Sequence, residues 1–301
     1  MSAAAEQYRC GYVALVGRPN VGKSTLMNQV LGQKISIVTA KPQTTRQRIT
    51  GIKTVEQGQI IFVDTPGIHL SADKALNRYM NRVAHAALRD IDLVLFMIEA
   101  GRFTRTDEHV QKAVLACGKP VMLVVNKIDL VTDKSALLPF VEELSAGQGF
   151  AGVFMVSALK KAGLEKLQAA ILRDLPFSQP YYDEDQITDR SERFLASELI
   201  REALTLRLHQ ELPYAATVQI EAFERTEKIT RISAIIWVER KGQKQIVIGS
   251  KGETLKQIGS QSRHALELLL DEKVFLKLWV KVSRSWSDDE RAIERLGYKD
   301  F

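Results

Sequence analysis

The residues best suited to chemistry form one unbroken run: Gly17, Arg18, Pro19, Asn20, Val21, Gly22, Lys23 and Ser24, with Thr25 next. The run fits the phosphate-loop pattern G-x-x-x-x-G-K-[ST] without a mismatch. Gly17 and Gly22 permit a tight turn that side chains would block. Backbone N–H groups of such a loop converge with the positive end of the following helix, so an anion binds there. Lys23 is expected to reach the outer phosphates and Ser24 to ligate Mg²⁺. The pattern needs a strand before it and a helix after it. The apolar run Tyr12–Val16 predicts the strand, and Thr25–Leu31 predicts the helix.

Three further sets of residues fall at the ends of apolar runs. Gln43, Thr44, Thr45 and Arg46 lie in a polar loop before a strand near Ile49. The hydroxyl of Thr44 or Thr45 would sit on Mg²⁺ when a γ-phosphate is present, and the sequence leaves the choice open. The strand Gln59–Val63 runs into Asp64, Thr65, Pro66 and Gly67. Asp64 suits the metal site, through water. Gly67 offers its N–H to a γ-phosphate with no side chain in the way. Loops that hold γ-phosphate only in this manner are released on hydrolysis, which makes a switch. The strand Val121–Val125 runs into Asn126, Lys127, Ile128 and Asp129. The carboxylate of Asp129 accepts two hydrogen bonds from guanine N1–H and its exocyclic amine, a donor pair that adenine lacks. A carboxylate that needs those donors rejects the wrong base strongly. Asn126 would tie this loop to the phosphate loop, and the stem of Lys127 would lie along the base. The last strand, Gly152–Val156, ends at Ser157 and Ala158, small residues that let backbone N–H groups approach the guanine oxygen.

These residues need a scaffold that brings strand ends together. Helical stretches over Asp73–Asp90, Thr106–Cys117 and Leu164–Leu175 alternate with the strands. The alternation predicts an α/β phosphate-loop domain with a mainly parallel sheet covered on both faces. Ligands in such folds sit at the carboxyl ends of the strands, where all of these residues fall.

Length and charge bound the rest. A chain of 301 residues, 45% of them hydrophobic, has room for two domains with ordinary cores and is not disordered. Two cysteines, Cys10 and Cys117, argue against a disulfide scaffold and fit a reducing cytoplasm. No secretory leader is visible, and no apolar run is long enough to span a bilayer. The net charge of +6 is carried by the first 180 residues, with 22 basic against 15 acidic; the remainder has 20 against 21. Yet residues 225–263 hold nine basic and three acidic side chains, a local positive stripe of the kind that marks nucleic-acid contact.

The stretch Asp174–Asp185, with Pro176, Pro180 and an acidic run, predicts a connector over 179–190, between a first domain of 1–178 and a second of 191–301. From Ser191 apolar residues recur at helical spacing, and Pro213 is expected to stop that helix. Thr217–Ala222 and Arg231–Glu239 read as strands. Gly249, Ser250, Lys251 and Gly252 form a G-x-x-G loop before a helix, Glu253–Leu270, and a third strand, Phe275–Val282. Ser287 to Glu290 is a capping-box pattern for a terminal helix ended by Gly297.

By its motifs the first domain resembles GTPases of the Era type: Gly17–Thr25, Gln43–Arg46, Asp64–Gly67, Asn126–Asp129 and Ser157–Ala158 occur in that order. It departs from Ras-like GTPases at Ile68, where those carry a water-orienting glutamine. The Era-like families share this feature, which implies slow intrinsic hydrolysis or a water held by another group. The second domain resembles a smaller α+β KH domain of the type-II arrangement, whose G-x-x-G loop clamps about four single-stranded nucleotides. Lys241, Lys244 and Lys256 flank that loop with Lys251. Ile187–Phe194, Glu211–Tyr214 and Gly297–Lys299 extend the resemblance over the whole chain. It implies a monomeric GTP/GDP switch that uses Mg²⁺. It also implies binding to the 3′ end region of small-subunit ribosomal RNA and help in maturing the small ribosomal subunit. Asn20 would ligate a K⁺ beside the phosphates. Peripheral contact with the inner membrane face is implied by the family alone. The alternatives are a tRNA-modifying GTPase, for which no catalytic domain or one-carbon site is visible, and an RNA binder with a vestigial nucleotide site. A phosphate-loop kinase would lack the Asn126–Asp129 element.

Overall fold

The computed structural model of the chain describes residues 8–41, 43–67, 74–208, 212 and 214–298. They divide into two compact units. One takes the described residues of 1–36, 45–71 and 80–189; the other takes those of 37–44, 72–79 and 190–301.

The chain begins with β1 (Arg9–Val16), α1 (Lys23–Leu31), β2 (Ile49–Val55), β3 (Gly58–Asp64), α2 (Ala75–Ala86), β4 (Leu93–Glu99) and α3 (Arg105–Leu115). It continues with β5 (Val121–Asn126), α4 (Leu137–Ser145), β6 (Gly152–Met155) and α5 (Leu164–Asp174). The six strands of the first unit form one sheet in the order β2-β3-β1-β4-β5-β6. All neighbours are parallel except β2, which runs antiparallel to β3. Every residue of β3 and β5 is buried. Helices on both faces require this, and it explains why these strands read as continuous apolar runs rather than alternating ones. Val16, Phe96, Val110, Leu123 and Val125 form part of one core between β1, β4, β5 and α3. From β1 the chain crosses to β3 on one side and, later, β4 takes its place on the other. The order reverses there, and in such sheets ligands bind at this switch point, beyond the carboxyl ends of the strands.

The stretch 179–190 is fastened along the edge of this sheet. Gln59 donates to the Tyr182 carbonyl (2.9 Å) and accepts from the N–H groups of Tyr181 and Tyr182 (2.9 and 3.0 Å). The Ile52 N–H on β2 bonds the Ile187 carbonyl (2.8 Å), and the Thr188 hydroxyl bonds the Thr50 carbonyl (2.6 Å).

The second unit contains α6 (Glu192–Arg207), β7 (Ala216–Arg225), β8 (Thr230–Val238), α7 (Lys241–Ile248), α8 (Glu253–Leu270), β9 (Val274–Val282) and α9 (Glu290–Arg295). Its sheet runs β7-β8-β9, antiparallel then parallel. Ile232, Ala234, Ile236 and Val238 face α6 and α8, with Leu199, Ala203, Ile258 and Leu266 packed against them. Three local features differ from the sequence reading. The helix α6 ends at Arg207, ahead of Pro213, which lies outside the described residues. A short helix, α7, precedes the G-x-x-G loop. The cap of α9 is Asp289, which accepts from the N–H groups of Arg291 and Ala292, whereas the Ser287 hydroxyl donates to Glu239.

Candidate functional site

The loop between β1 and α1 depends on backbone conformations that its residue types permit. Gly22 has φ 102° and Asn20 φ 66°. A Cβ on Gly17 would lie 2.4 Å from the Met97 carbonyl oxygen, and one on Gly22 would lie 2.3 Å from the Asn126 amide. Neither position accepts a side chain. The first turn of α1 has neither a capping side chain nor an acidic residue, so its N–H groups face the loop free for an anion. The buried Lys23 folds back across the loop and donates to the carbonyls of Gly17 (3.0 Å) and Arg18 (3.2 Å).

Asp64, fully buried at the end of β3, lies beside this loop. One carboxylate oxygen accepts from the hydroxyls of Ser24 (2.6 Å), Ser36 (2.8 Å) and Thr45 (3.4 Å). The Ser24 and Thr45 hydroxyls are 3.0 Å apart. The other oxygen, Oδ1, is buried with no hydrogen-bond partner among the described residues. A buried carboxylate oxygen without a partner, next to two hydroxyls, is a donor set that suits a hard divalent cation. Burial pushes the Asp64 pKa up, against Lys23 and the hydroxyls, and pulls Lys23 down to about 8 despite Asp64. A bound cation would favour the charged form of Asp64, and a bound anion that of Lys23.

Of the two threonines, Thr45 is the one turned toward Ser24 and Asp64. The Thr44 hydroxyl instead meets Thr39 (2.7 Å) and the Lys41 carbonyl (2.6 Å). Gln43, at φ 58°, bonds Asn77 (3.1 Å). Gln43 and Thr44 belong to the second unit, where the Val38 N–H bonds Glu202 (2.9 Å), Arg201 donates to the Thr44 carbonyl, and Lys41 donates to the carbonyls of Thr205 and Leu208. Arg46 is buried in the first unit. Thr65 anchors its loop through its hydroxyl to the Leu15 carbonyl (2.9 Å). Pro66 follows it, and a Cβ on Gly67 would lie 2.8 Å from Pro19, so this loop packs directly on the phosphate loop. Ile68 lies outside the described residues.

Asn126, at the end of β5 and 2% exposed, joins three loops. Its amide donates to the Val21 carbonyl in the phosphate loop (2.8 Å) and accepts from the Ala158 N–H after β6 (2.9 Å). Lys127 adopts φ 64°, which turns the chain so that Asp129 stands exposed. The buried Ser157 donates to the Asp129 carboxylate, which fixes its orientation. Residues that sequence reasoning missed complete this side. Glu99, at the end of β4, meets Arg18 (2.6 Å) and Lys127 (3.4 Å). Asp107, the third residue of α3, completes a capping box with the N-cap Thr104 and holds Arg18 at 3.0 Å. Burial alone would raise the pKa of Glu99, but Arg18 and Lys127 together hold it below the usual range. Glu99 belongs to no local motif and Asp107 only to the capping box of α3; their pairing with Arg18 is revealed only by their three-dimensional placement.

In the second unit the G-x-x-G loop joins α7 to α8. Gly249 (φ 74°), Lys251 (φ 49°) and Gly252 (φ 82°) all have positive φ. A Cβ on Gly249 would lie 2.2 Å from the Thr254 hydroxyl, while the space around Gly252 is open. Ser250, Lys251, Lys241 and Lys256 are exposed and Lys244 is half-buried. Ile246, 55% exposed, adds an apolar surface next to the loop.

Comparison with known proteins agrees with this geometry. Residues 12–127 match the family described as 50S ribosome-binding GTPase, and residues 211–287 match the KH domain family. The chain is 52% identical to GTPase Era of Pseudomonas aeruginosa (strain LESB58) over 293 residues, covering 97% of this chain and 96% of that protein. It is 52% identical to GTPase Era of Stenotrophomonas maltophilia (strain R551-3) over 292 residues, covering 97% and 98%. The crystal structure of a single-residue variant of Aquifex aeolicus Era bound to GDP·AlF₄⁻ superposes with a TM-score of 0.93 at 39% identity, over 96% of this chain and 99% of that one. The crystal structure of Era with MgGDPNP and nucleotides 1506–1542 of 16S ribosomal RNA gives the same TM-score and identity, over 97% and 99%. Such identity along nearly the whole length, with both units and every motif loop in place, means that the chain belongs to the GTPase Era family.

Proposed function

We propose that the chain is a GTP-hydrolysing switch that binds the 3′ end region of small-subunit ribosomal RNA and assists maturation of the small subunit. The observation that carries the nucleotide half is Asn126, which gathers the phosphate loop, the Asp129 loop and the Ser157–Ala158 loop at one end of the sheet. In this reading residues 17–25 and 64–67 hold the phosphates. Ser24, Thr45 and Asp64, the last through water, hold Mg²⁺, which supplies charge neutralisation at the β- and γ-phosphates. The partnerless Oδ1 of Asp64 and the turn of Thr45 toward Ser24 support that set, and Thr44 is left as a loop anchor. Asp129 reads guanine, Lys127 flanks it, and Ser157 and Ala158 approach its oxygen. We assign Asn20, exposed at φ 66°, to K⁺; equal turnover in potassium and sodium salts would remove that assignment.

For RNA, the supporting features are the positive-φ G-x-x-G turn and the cations around it. The relative solved with 16S nucleotides covers both units. The 50S in the family description belongs to a match that ends at residue 127, well before the KH match over 211–287. Cytoplasmic residence fits two unpaired cysteines. Among the described residues no helix is long and apolar enough to cross a membrane. Contact with the inner membrane face rests on the family resemblance alone.

The test is base exchange. Asp129→Asn replaces an acceptor with a donor, which suits the 2-oxo group of xanthine. The substituted protein should lose GTP and gain XTP binding by titration calorimetry. Undiminished GTP affinity would refute the role given to Asp129.

A further inference from the structure

The three-stranded sheet of the second unit has one face on its core and one face outward. Alternation puts Ile232, Ala234, Ile236 and Val238 inside, so Arg231, Ser233, Ile235 and Trp237 point outward from β8. Their register partners on β9 are Phe275, Lys277, Trp279 and Lys281. These eight positions contain three aromatic rings, three cations and no carboxylate. Each ring has a cation against it. Lys277 lies 4.7 Å from the Trp279 ring centre, Arg231 5.6 Å from Phe275, and Lys281 5.9 Å from Trp237. Phe275 is 49% exposed, and both tryptophans are half-buried. Two carboxylates share the outer side from β7: Glu221, 3.8 Å from Lys281, and Glu224, opposite Arg231 in register. Among the described residues, neither Arg231 nor Lys277 forms an ion pair.

At one end of this face is a pocket of about 240 Å³, lined by Gln219, Trp237, Ser283, Ala292, Arg295 and Leu296. Gln219 accepts from the Trp237 indole N–H (2.9 Å), which fixes the ring and leaves the amide NH₂ as a donor. The volume is below the roughly 300–1,000 Å³ that encloses a drug-sized ligand, and so suits a single planar group. Arg295 is exposed at its mouth.

We propose that this outer face, with the pocket beside Trp237, is a second surface for single-stranded RNA, distinct from the G-x-x-G loop. It rests on the reading that the second unit binds RNA. The rings of Phe275, Trp279 and Trp237 stack unpaired bases, and Arg231, Lys277, Lys281 and Arg295 take the phosphates between them. Interleaved rings and cations are what a sequence-tolerant single-strand platform needs, because every base has a π-face and every linkage a negative charge. Phe275 and Trp279 are four residues apart, about 13 Å along a strand, with Lys277 midway. Ile235, 4% exposed, lies buried between Trp237 and its own register partner Trp279, and Lys277 and Lys281 flank Trp279 along β9, so the rings stand between cations rather than in the cation-free patch that a protein partner would favour. The strand that carries most of the surface, β9, is an edge strand, so a backbone can reach the face around an open side.

The test uses the full-length chain and two fluorescent, unpaired RNAs. One has about four nucleotides, the span of a G-x-x-G clamp. The other has about twelve, within the range of extended single-strand sites. Phe275→Ala with Lys277→Ala should bind the short RNA like wild type and the long RNA at least about fivefold more weakly, the lower end for one lost base stack. Its salt dependence on the long RNA should be shallower by about 0.7 in log–log slope, one phosphate contact on a single strand. Trp279→Phe should keep the long-RNA affinity that Trp279→Ala loses, a rescue that marks stacking rather than fold. Gly252→Asp, where space is open, should weaken both RNAs. Unchanged long-RNA affinity and slope in the Phe275/Lys277 and Trp279→Ala variants would overturn the proposal and leave the face to a protein partner. Wild type that bound neither RNA would instead overturn the RNA reading beneath it.

Discussion

Asn126→Ala removes a buried side chain that bonds two loops of the nucleotide site at once. The substitution leaves the Val21 carbonyl and the Ala158 N–H, both in fully buried residues, without their partners. A buried polar group left unsatisfied costs about 1–3 kcal/mol, so the pair sums to roughly 2–6 kcal/mol. Water entering the emptied space offsets part of this, and about 2–4 kcal/mol is expected. For a unit of this size that lowers the melting temperature by roughly 4–16 °C. Asn126→Asp is the sharper comparison. It keeps an acceptor for Ala158 but sets an oxygen against the Val21 carbonyl, so GDP affinity should fall further than with alanine. Thermal unfolding with and without GDP, together with GDP titration calorimetry, reads both effects. A stability loss below about 0.5 kcal/mol, the size of an ordinary surface substitution, would refute the hydrogen-bond argument. A full stability loss with unchanged GDP affinity would refute the claim that Asn126 aligns the loops for nucleotide.

Three more predictions follow from the same site. Thr45→Ala should abolish the magnesium-dependent preference for a non-hydrolysable GTP analogue over GDP, and Thr44→Ala should retain it; the reverse, by titration at fixed Mg²⁺, would exchange their roles. Lys23 sits near 8 in the free protein because burial disfavours its charge, and a bound polyphosphate restores that charge. The complex then holds more protons than the free protein above pH 8, so nucleotide binding at pH 8.5 should take up a proton and affinity should fall as pH rises further. Calorimetry in two buffers of different ionisation enthalpy would detect this, and equal heats would sink it. The segment 37–44 next to Thr45 is held by Arg201, Glu202 and the carbonyls of Thr205 and Leu208, so RNA affinity should differ between the GDP and GTP-analogue states. The factor must reappear as tighter nucleotide binding when RNA is present. Equal RNA affinity in the two states would rule the coupling out.

The phosphate-loop unit is legible in the sequence because its signals are local: buried strands end directly in Gly17–Ser24, Asp64–Gly67 and Asn126–Asp129. Its antiparallel edge strand is not, since Ile49–Val55 reads the same in either direction. The choice between Thr44 and Thr45 is lost because neighbours in an extended loop point opposite ways, and only the fold says which way faces the metal. The helix α7 is hidden by its composition. Gly242 weakens it and Ile246–Ile248 reads as strand, yet Gln243, whose side chain accepts from the N–H groups of Glu239 and Arg240, closes its first turn. Asp289 displaced Ser287 as the cap of α9 because the Ser287 hydroxyl is taken by Glu239. Glu99 and Asp107 come from separate elements, so nothing short-range ties them to Arg18 and Lys127.

The stretch after Ser178 has a protective role for the first unit. Strand β2 is a sheet edge, and its Thr50 carbonyl and Ile52 N–H are covered by Thr188 and Ile187. A chain cut at Ser178 would uncover those groups on a strand that also contains Ile49 and Ile52, and would remove Tyr182 from beside Cys10 and Ile61. An uncovered, apolar edge is a template for another strand. A fragment ended there should self-associate, while one ended at Asp189 keeps its cover and stays dispersed. Where this protein is cut would thus decide whether its first unit behaves as one molecule or as the seed of many.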